Sequence, residues 1–150
     1  MTASEPLRRG ERSSPPPAAS EAVVRTEKPW GHEELGHVGR YAAKLLFIRQ
    51  GERLSLQYHE QKDETLFVHR GRPEITIDAT TRVYEEGEIV RVPAGTVHRI
   101  AAPSGDVEIF EASTPELDDI VRLEDDYGRI ERRPAQLPTG DVARSRASAA

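Results

Sequence analysis

The chain has 150 residues, a net charge of −5 from 21 Lys and Arg against 26 Asp and Glu, and no cysteine. That length holds one compact domain, and the missing cysteines exclude a disulfide framework, a thiolate metal site and a cysteine nucleophile. The acidic balance offers no overall positive field to nucleic acid or an anionic membrane, and no apolar run near Arg8, Arg9 and Arg12 reaches signal-peptide or membrane-span length, so the expectation is a soluble, cytoplasmic protein.

From the N-terminus, residues 1–22 are rich in Ser, Pro, Ala and Arg and read as a disordered tail, too poor in apolar surface to offset chain entropy. Residues 131–150, ending in Arg144-Ser145-Arg146, read the same way. All eight aromatic residues lie between Trp30 and Tyr127, which leaves 23–130 as the folded domain; without the tails its charge sharpens to −7. Within it, short runs rich in β-branched and aromatic residues recur between Gly, Pro and acidic turns. They are Leu45–Arg49, Leu54–His59, Thr65–Arg70, Glu74–Asp78, Thr81–Tyr84, Ile89–Val92, Val97–Ala101 and Val107–Ala112. This is the rhythm of an all-β sandwich or barrel. Pro115–Leu123 reads as a short helical or irregular closing segment, and Trp30 as a packing anchor.

Chemistry concentrates in two segments. Along Leu54–His59 side chains alternate faces, so Gln57 and His59 project together with Ser55 one step further along, and Glu64 enters from the next strand. Gly87-Glu88-Ile89-Val90-Arg91-Val92-Pro93-Ala94-Gly95-Thr96-Val97-His98 brings a turn and then a second imidazole. Gln57, His59, Glu64 and His98 make a nitrogen and oxygen donor set that suits one divalent ion, zinc, iron or manganese. His32, His37 and His69 lack such company and are assigned to loops or surface.

These residues resemble a known family. The spacing of Gly51, Gln57, His59, Glu64 and Gly71 is similar to the first cupin motif, with Gln at the position of the first His. Gly87, Pro93-Ala94-Gly95 and His98 resemble the second, with Ala102 where the motif carries Asn. From Lys28-Pro29-Trp30-Gly31 to Glu124-Asp125-Asp126-Tyr127-Gly128-Arg129 the chain resembles the cupin domain of type II mannose-6-phosphate isomerases, usually fused behind a mannose-1-phosphate guanylyltransferase. Thr65 and Leu66 depart from the His-Trp pair usual there, and no Gly-rich nucleotide loop is present.

The resemblance implies a double-stranded β-helix, a jelly-roll barrel, and an isomerase interconverting mannose-6-phosphate and fructose-6-phosphate for activated-mannose or polysaccharide synthesis. It also implies roles. Glu111, followed by Asp118-Asp119-Ile120-Val121-Arg122, stands where relatives carry a base and an arginine, so Glu111 and Arg122 are the candidate catalytic residues; Arg122 could equally make local ion pairs. Lys62, Ser55 and Lys44 match substrate-binding positions. Two other functions fit the same motifs: a non-catalytic metal- and sugar-binding cupin that regulates or partners a guanylyltransferase, and an iron-dependent small-molecule dioxygenase. Expected partners are a sugar phosphate and a second copy of the chain, the homodimer resting on an outer face bearing Leu54, Leu56 and Tyr58.

Overall fold

A computed structural model describes residues 22–131; the predicted tails fall outside it apart from residues 22 and 131 themselves. Among the described residues there are eleven strands and no helix: β1 (Val24–Lys28), β2 (Gly31–Val38), β3 (Ala42–Ile48), β4 (Leu56–Tyr58), β5 (Glu64–Arg70), β6 (Glu74–Ile77), β7 (Thr80–Val83), β8 (Ile89–Val92), β9 (His98–Ala101), β10 (Val107–Ser113) and β11 (Val121–Glu124). They build two antiparallel sheets, ordered β1-β2-β3-β10-β5-β8 and β11-β4-β9-β6-β7.

All eight expected strands are present, with ends displaced by up to three residues. Three further strands correct the sequence reading. β1 and β2 form a hairpin at one edge of the larger sheet, where Arg25, Glu27, Glu33 and Glu34 are tolerated because little of either strand is buried. The expected helical or irregular closing segment is irregular only as far as Ile120; Val121–Glu124 then pairs with β4. His32 and His37 are half-buried on β2 rather than in loops or on the surface, whereas His69, on β5, is exposed as expected. His32 stacks on Phe47 with ring centroids 4.9 Å apart, and His69 sits 3.6 Å from Glu108.

The inward-facing residues explain why one end of the barrel is a core and the other a site. On β10, Val107, Ile109, Glu111 and Ser113 point inward; on β5, Glu64, Leu66 and Val68; on β3, Ala42, Lys44, Leu46 and Ile48. Register sets Glu111 beside Lys44 and Ser113 beside Glu64, so the polar members collect at one end. The apolar members pack with Ile75, Ile100 and Trp30, and Trp30 is buried in this core while one side of it also lines the cavity described below. Leu54 joins this core rather than an outer face, and Leu56 and Tyr58 are half-buried, so the surface offered for self-association is smaller than the sequence suggested. On the outside of the larger sheet, Leu45, Phe110, Phe67 and Ile89 are successive cross-strand partners.

Gly71 ends β5 with φ +86°, and a Cβ there would meet the Asp106 carbonyl oxygen at 2.3 Å. Gly51 has φ +85° with nothing within 4 Å. Both substitutions to Ala strain the backbone, but only Gly71→Ala also forces β5 away from the loop before β10. It should cost more than about 1 kcal/mol and clearly more than Gly51→Ala in urea denaturation. Equal losses would mean that the close approach is not what Gly71 serves.

Candidate metal centre

His59 follows β4 directly, Glu64 opens β5 and His98 opens β9, so three strand ends meet at the polar end of the barrel. The two motif segments are tied together by the Gly95 N–H, which donates to the His59 carbonyl at 2.7 Å. Ligand atoms of His59, Glu64 and His98 all lie within 4.8 Å of one another, and all three residues are buried.

Each imidazole is fixed through Nδ1. His59 Nδ1 lies 2.5 Å from the Asp119 carbonyl oxygen and His98 Nδ1 2.9 Å from that of Thr96. A carbonyl only accepts, so Nδ1 carries the proton and Nε2 of a neutral ring presents a lone pair. Those lone pairs face a carboxylate: His98 Nε2 is 2.9 Å from Glu64 Oε1 and His59 Nε2 is 3.5 Å from Glu64 Oε2. His59 Nε2 is buried with no hydrogen-bond partner. Three electron-pair donors converging on one point, with their far sides held by backbone carbonyls, fit a divalent cation and are costly without one. Nitrogen and oxygen donors of this kind suit zinc, iron or manganese.

Gln57 is the cross-strand partner of His98 and faces the same cavity, with Oε1 accepting from Ser55 Oγ at 2.6 Å. Glu111 is buried on β10, and Lys62 lies between the two carboxylates, its Nζ 2.8 Å from Glu64 Oε2 and 3.3 Å from Glu111 Oε2. Burial pulls the Lys62 ammonium down, but the charges of Glu111 and Glu64 outweigh it and hold the pKa above the ordinary value. Burial pushes Glu64 up, yet with no ion bound, hydrogen bonds from the His59 and His98 rings when Nε2 also carries a proton, together with the Lys62 ammonium, keep it well below the usual carboxylate range. Glu111 goes the other way: burial and then the Glu64 charge raise it, opposed by Lys62 and Lys44.

Lys44, whose direction the apolar run of β3 left open, points inward beside Glu111, with Nζ 3.6 Å from Glu33 Oε2. Arg122 on β11 is the cross-strand partner of Gln57. These residues line a cavity of about 370 Å³ that also takes in Trp30, Leu46, Leu54 and Arg129. The structure thus brings Gln57, His59, Lys44, Ser55, Lys62, Glu111 and Arg122 to one cavity, with Glu64 and His98 meeting His59 beside it.

One residue that the sequence did not single out organises the loop before Glu64. The Asp119 carboxylate accepts from the backbone N–H of Glu60 at 2.9 Å, Gln61 at 2.7 Å and Lys62 at 2.8 Å, and those donors hold it below its ordinary pKa. Its only sequence signal is its place in Asp118-Asp119-Ile120-Val121-Arg122. Asp119→Ala frees the loop that spaces His59 from Glu64 and should weaken metal binding about 10–100-fold in chelator competition. An unchanged affinity would show that the loop holds its shape without it.

Comparison with known proteins agrees with this architecture. The chain is 35% identical over 118 residues to the alginate biosynthesis protein AlgA of Pseudomonas aeruginosa, a match covering 75% of this chain and 24% of that protein. It is 32% identical over 108 residues to a mannose-1-phosphate guanylyltransferase of Escherichia coli K12, covering 69% of this chain and 23% of that one. The chain therefore spans about a quarter of the length of these curated relatives. The solved structure of Rru_A2000 from Rhodospirillum rubrum, a cupin-2 domain, superposes with a TM-score of 0.59 at 13% identity, covering 77% of this chain and 83% of that one, and places the fold among the cupins. Residues 18–125 match the family described as mannose-6-phosphate isomerase C-terminal, and the chain belongs to that family.

Proposed function

We propose that the protein is a metal-dependent isomerase that interconverts mannose-6-phosphate and fructose-6-phosphate. The observation that carries this reading is the position of Glu111, a buried carboxyl with raised pKa beside the His59–Glu64–His98 cluster in a cavity of small-ligand size. Gln57 would complete the donor set from the strand next to His98. A divalent ion held there supplies Lewis-acid polarisation of the sugar's carbonyl and hydroxyl oxygens.

The residues of the chain supply the rest. Aldose to ketose conversion moves one proton from C2 to C1 and one from O2 to O1, with no net oxidation. A single carboxylate can carry that proton, and burial followed by the Glu64 charge makes Glu111 a stronger proton acceptor than an ordinary carboxylate. Lys62 bridges Glu64 and Glu111 and holds Glu111 in place. Lys44 and Arg122 add positive charge to the cavity of an otherwise acidic domain, and Ser55 orients Gln57. A role in polysaccharide synthesis is supported by the similarity to the alginate biosynthesis protein AlgA and to the xanthan biosynthesis protein XanB of Xanthomonas campestris.

The test is a coupled assay with mannose-6-phosphate on the full chain loaded with zinc, iron or manganese. Turnover is the expected result. A chain that binds metal and sugar phosphate without turnover would instead be the binding module, and oxygen consumption by the iron form would point to a dioxygenase.

A further inference from the structure

Leu54 is drawn into the core and Leu56 and Tyr58 are half-buried, so a second copy of the chain needs another surface. The two sheets end in four edge strands, β1 and β8 on the larger, β11 and β7 on the smaller. An edge presents unpaired N–H and C=O groups, and charged side chains ordinarily shield it from other strands. β8 and β7 follow that rule. Each carries one arginine, Arg91 and Arg82, already paired with Asp63 and Glu88. β11 has the order Arg122, Leu123, Glu124, but its register shifts at that point, Arg122 lines the cavity and Glu124 pairs with Arg99.

β1 is different. It pairs with β2 in unbroken register from Val24 against Leu35 to Lys28 against Gly31, and among the described residues no strand lies beyond it. Val24, Arg25, Thr26 and Glu27 are all exposed. Register puts Arg25 and Glu27 on the outer face, since Arg25 is beside Glu34, Glu34 beside Leu45 and Leu45 beside Phe110. Arg25 Nε donates to Glu27 Oε1 at 2.7 Å, and that bond holds the Glu27 carboxyl below its ordinary pKa. Both side chains stay more than half exposed, at 54% and 70%. Laid antiparallel on a second β1 about a two-fold axis at Thr26, the strand is its own electrostatic complement. Arg25 faces the partner's Glu27, Glu27 faces the partner's Arg25, and Val24 meets the methylene stem of the partner's Lys28. Each carboxylate then lies between two guanidiniums, and such a network is worth more than an isolated surface pair.

We propose that the chain forms a symmetric dimer by antiparallel pairing of β1 with β1 of a second copy, in the register centred on Thr26. The pairing joins the two six-stranded sheets into one continuous sheet. Backbone hydrogen bonds supply the attraction and the ring of Arg25 and Glu27 selects the register. A shift of two residues, the smallest that keeps the same side chains on the outer face, sets Arg25 against Arg25 or Glu27 against Glu27. The dimer is independent of the chemistry proposed for the cavity, and it moves self-association from the face of Leu54, Leu56 and Tyr58 to an edge.

Sedimentation velocity of the full chain over a concentration series tests it, and a monomer–dimer equilibrium is the expected result. Arg25→Glu and Glu27→Arg each set like charges opposite one another at both ends of the pair, and each should weaken self-association by about tenfold or more. Mixed in equal amounts, the two variants again oppose unlike charges and should form a heterodimer at about the concentration at which the parent dimerises. The double variant R25E/E27R should form a homodimer in the same way. Both side chains are exposed on an edge strand, so circular dichroism and melting of the single variants should match the parent. A parent that stays monomeric up to about 1 mM would overturn the proposal. So would single variants that dimerise as the parent does, which would place the interface elsewhere, or a mixture that associates no better than its components.

Discussion

Glu111→Gln should lower turnover of mannose-6-phosphate by about 10²–10⁴-fold while leaving metal content unchanged, the loss expected when a positioned proton-transfer group is removed. The substitution keeps volume and shape in a buried position, so the barrel has no cavity to collapse around. Lys62 still has Glu64 at 2.8 Å, so its ammonium is not left unpaired. His59 and His98 do not use Glu111 to hold their geometry, since the imidazoles are fixed by the carbonyls of Asp119 and Thr96, and Glu64 keeps its contacts with Lys62 and His98. A coupled assay with metal analysis of the same preparation reads both quantities. Turnover within a few-fold of the parent would place the base elsewhere, and simultaneous loss of metal would make Glu111 part of the ion's support rather than a proton carrier.

His98→Ala should empty the centre. It removes one of three convergent donors and leaves Glu64 Oε1 without its neighbour at 2.9 Å. Metal content at a fixed, limiting metal concentration should fall by about an order of magnitude or more, with turnover falling in step. The second readout is thermal: an ion that binds the folded chain at about a hundred times its Kd stabilises it by about 2.7 kcal/mol. The parent should melt higher with added metal, and His98→Ala should not. His59→Ala should behave alike, because His59 Nε2 is the orphaned donor of the set. Full metal content in both variants would show that the cluster is not where the metal sits.

What the sequence showed and what it hid divide along separation in the chain. The alternation of β3, β5 and β10 and the glycines at Gly51, Gly71 and Gly87 are local, and they were enough for the strands and for His59 and His98 at strand ends. The partners of Lys62 are not local. Its charge was visible, but Glu111 lies 49 residues away, and only the register of β10 against β3 and β5 sets that carboxyl beside it. The same limit hid Asp119, which holds a loop 57 to 59 residues earlier. β1, β2 and β11 were missed for another reason. β1 and β11 are edge strands and β2 lies next to the edge, and all three carry charged residues without the apolar alternation that marks a half-buried strand.

The most direct measurement is X-ray absorption at the metal edge of the purified full chain, paired with its metal stoichiometry. The arrangement of His59, Glu64 and His98 predicts about one divalent ion per chain in a shell of nitrogen and oxygen donors containing two imidazoles, falling to one in whatever metal His98→Ala retains. A shell without imidazole in the parent protein, or two imidazoles still bound in that variant, would contradict it.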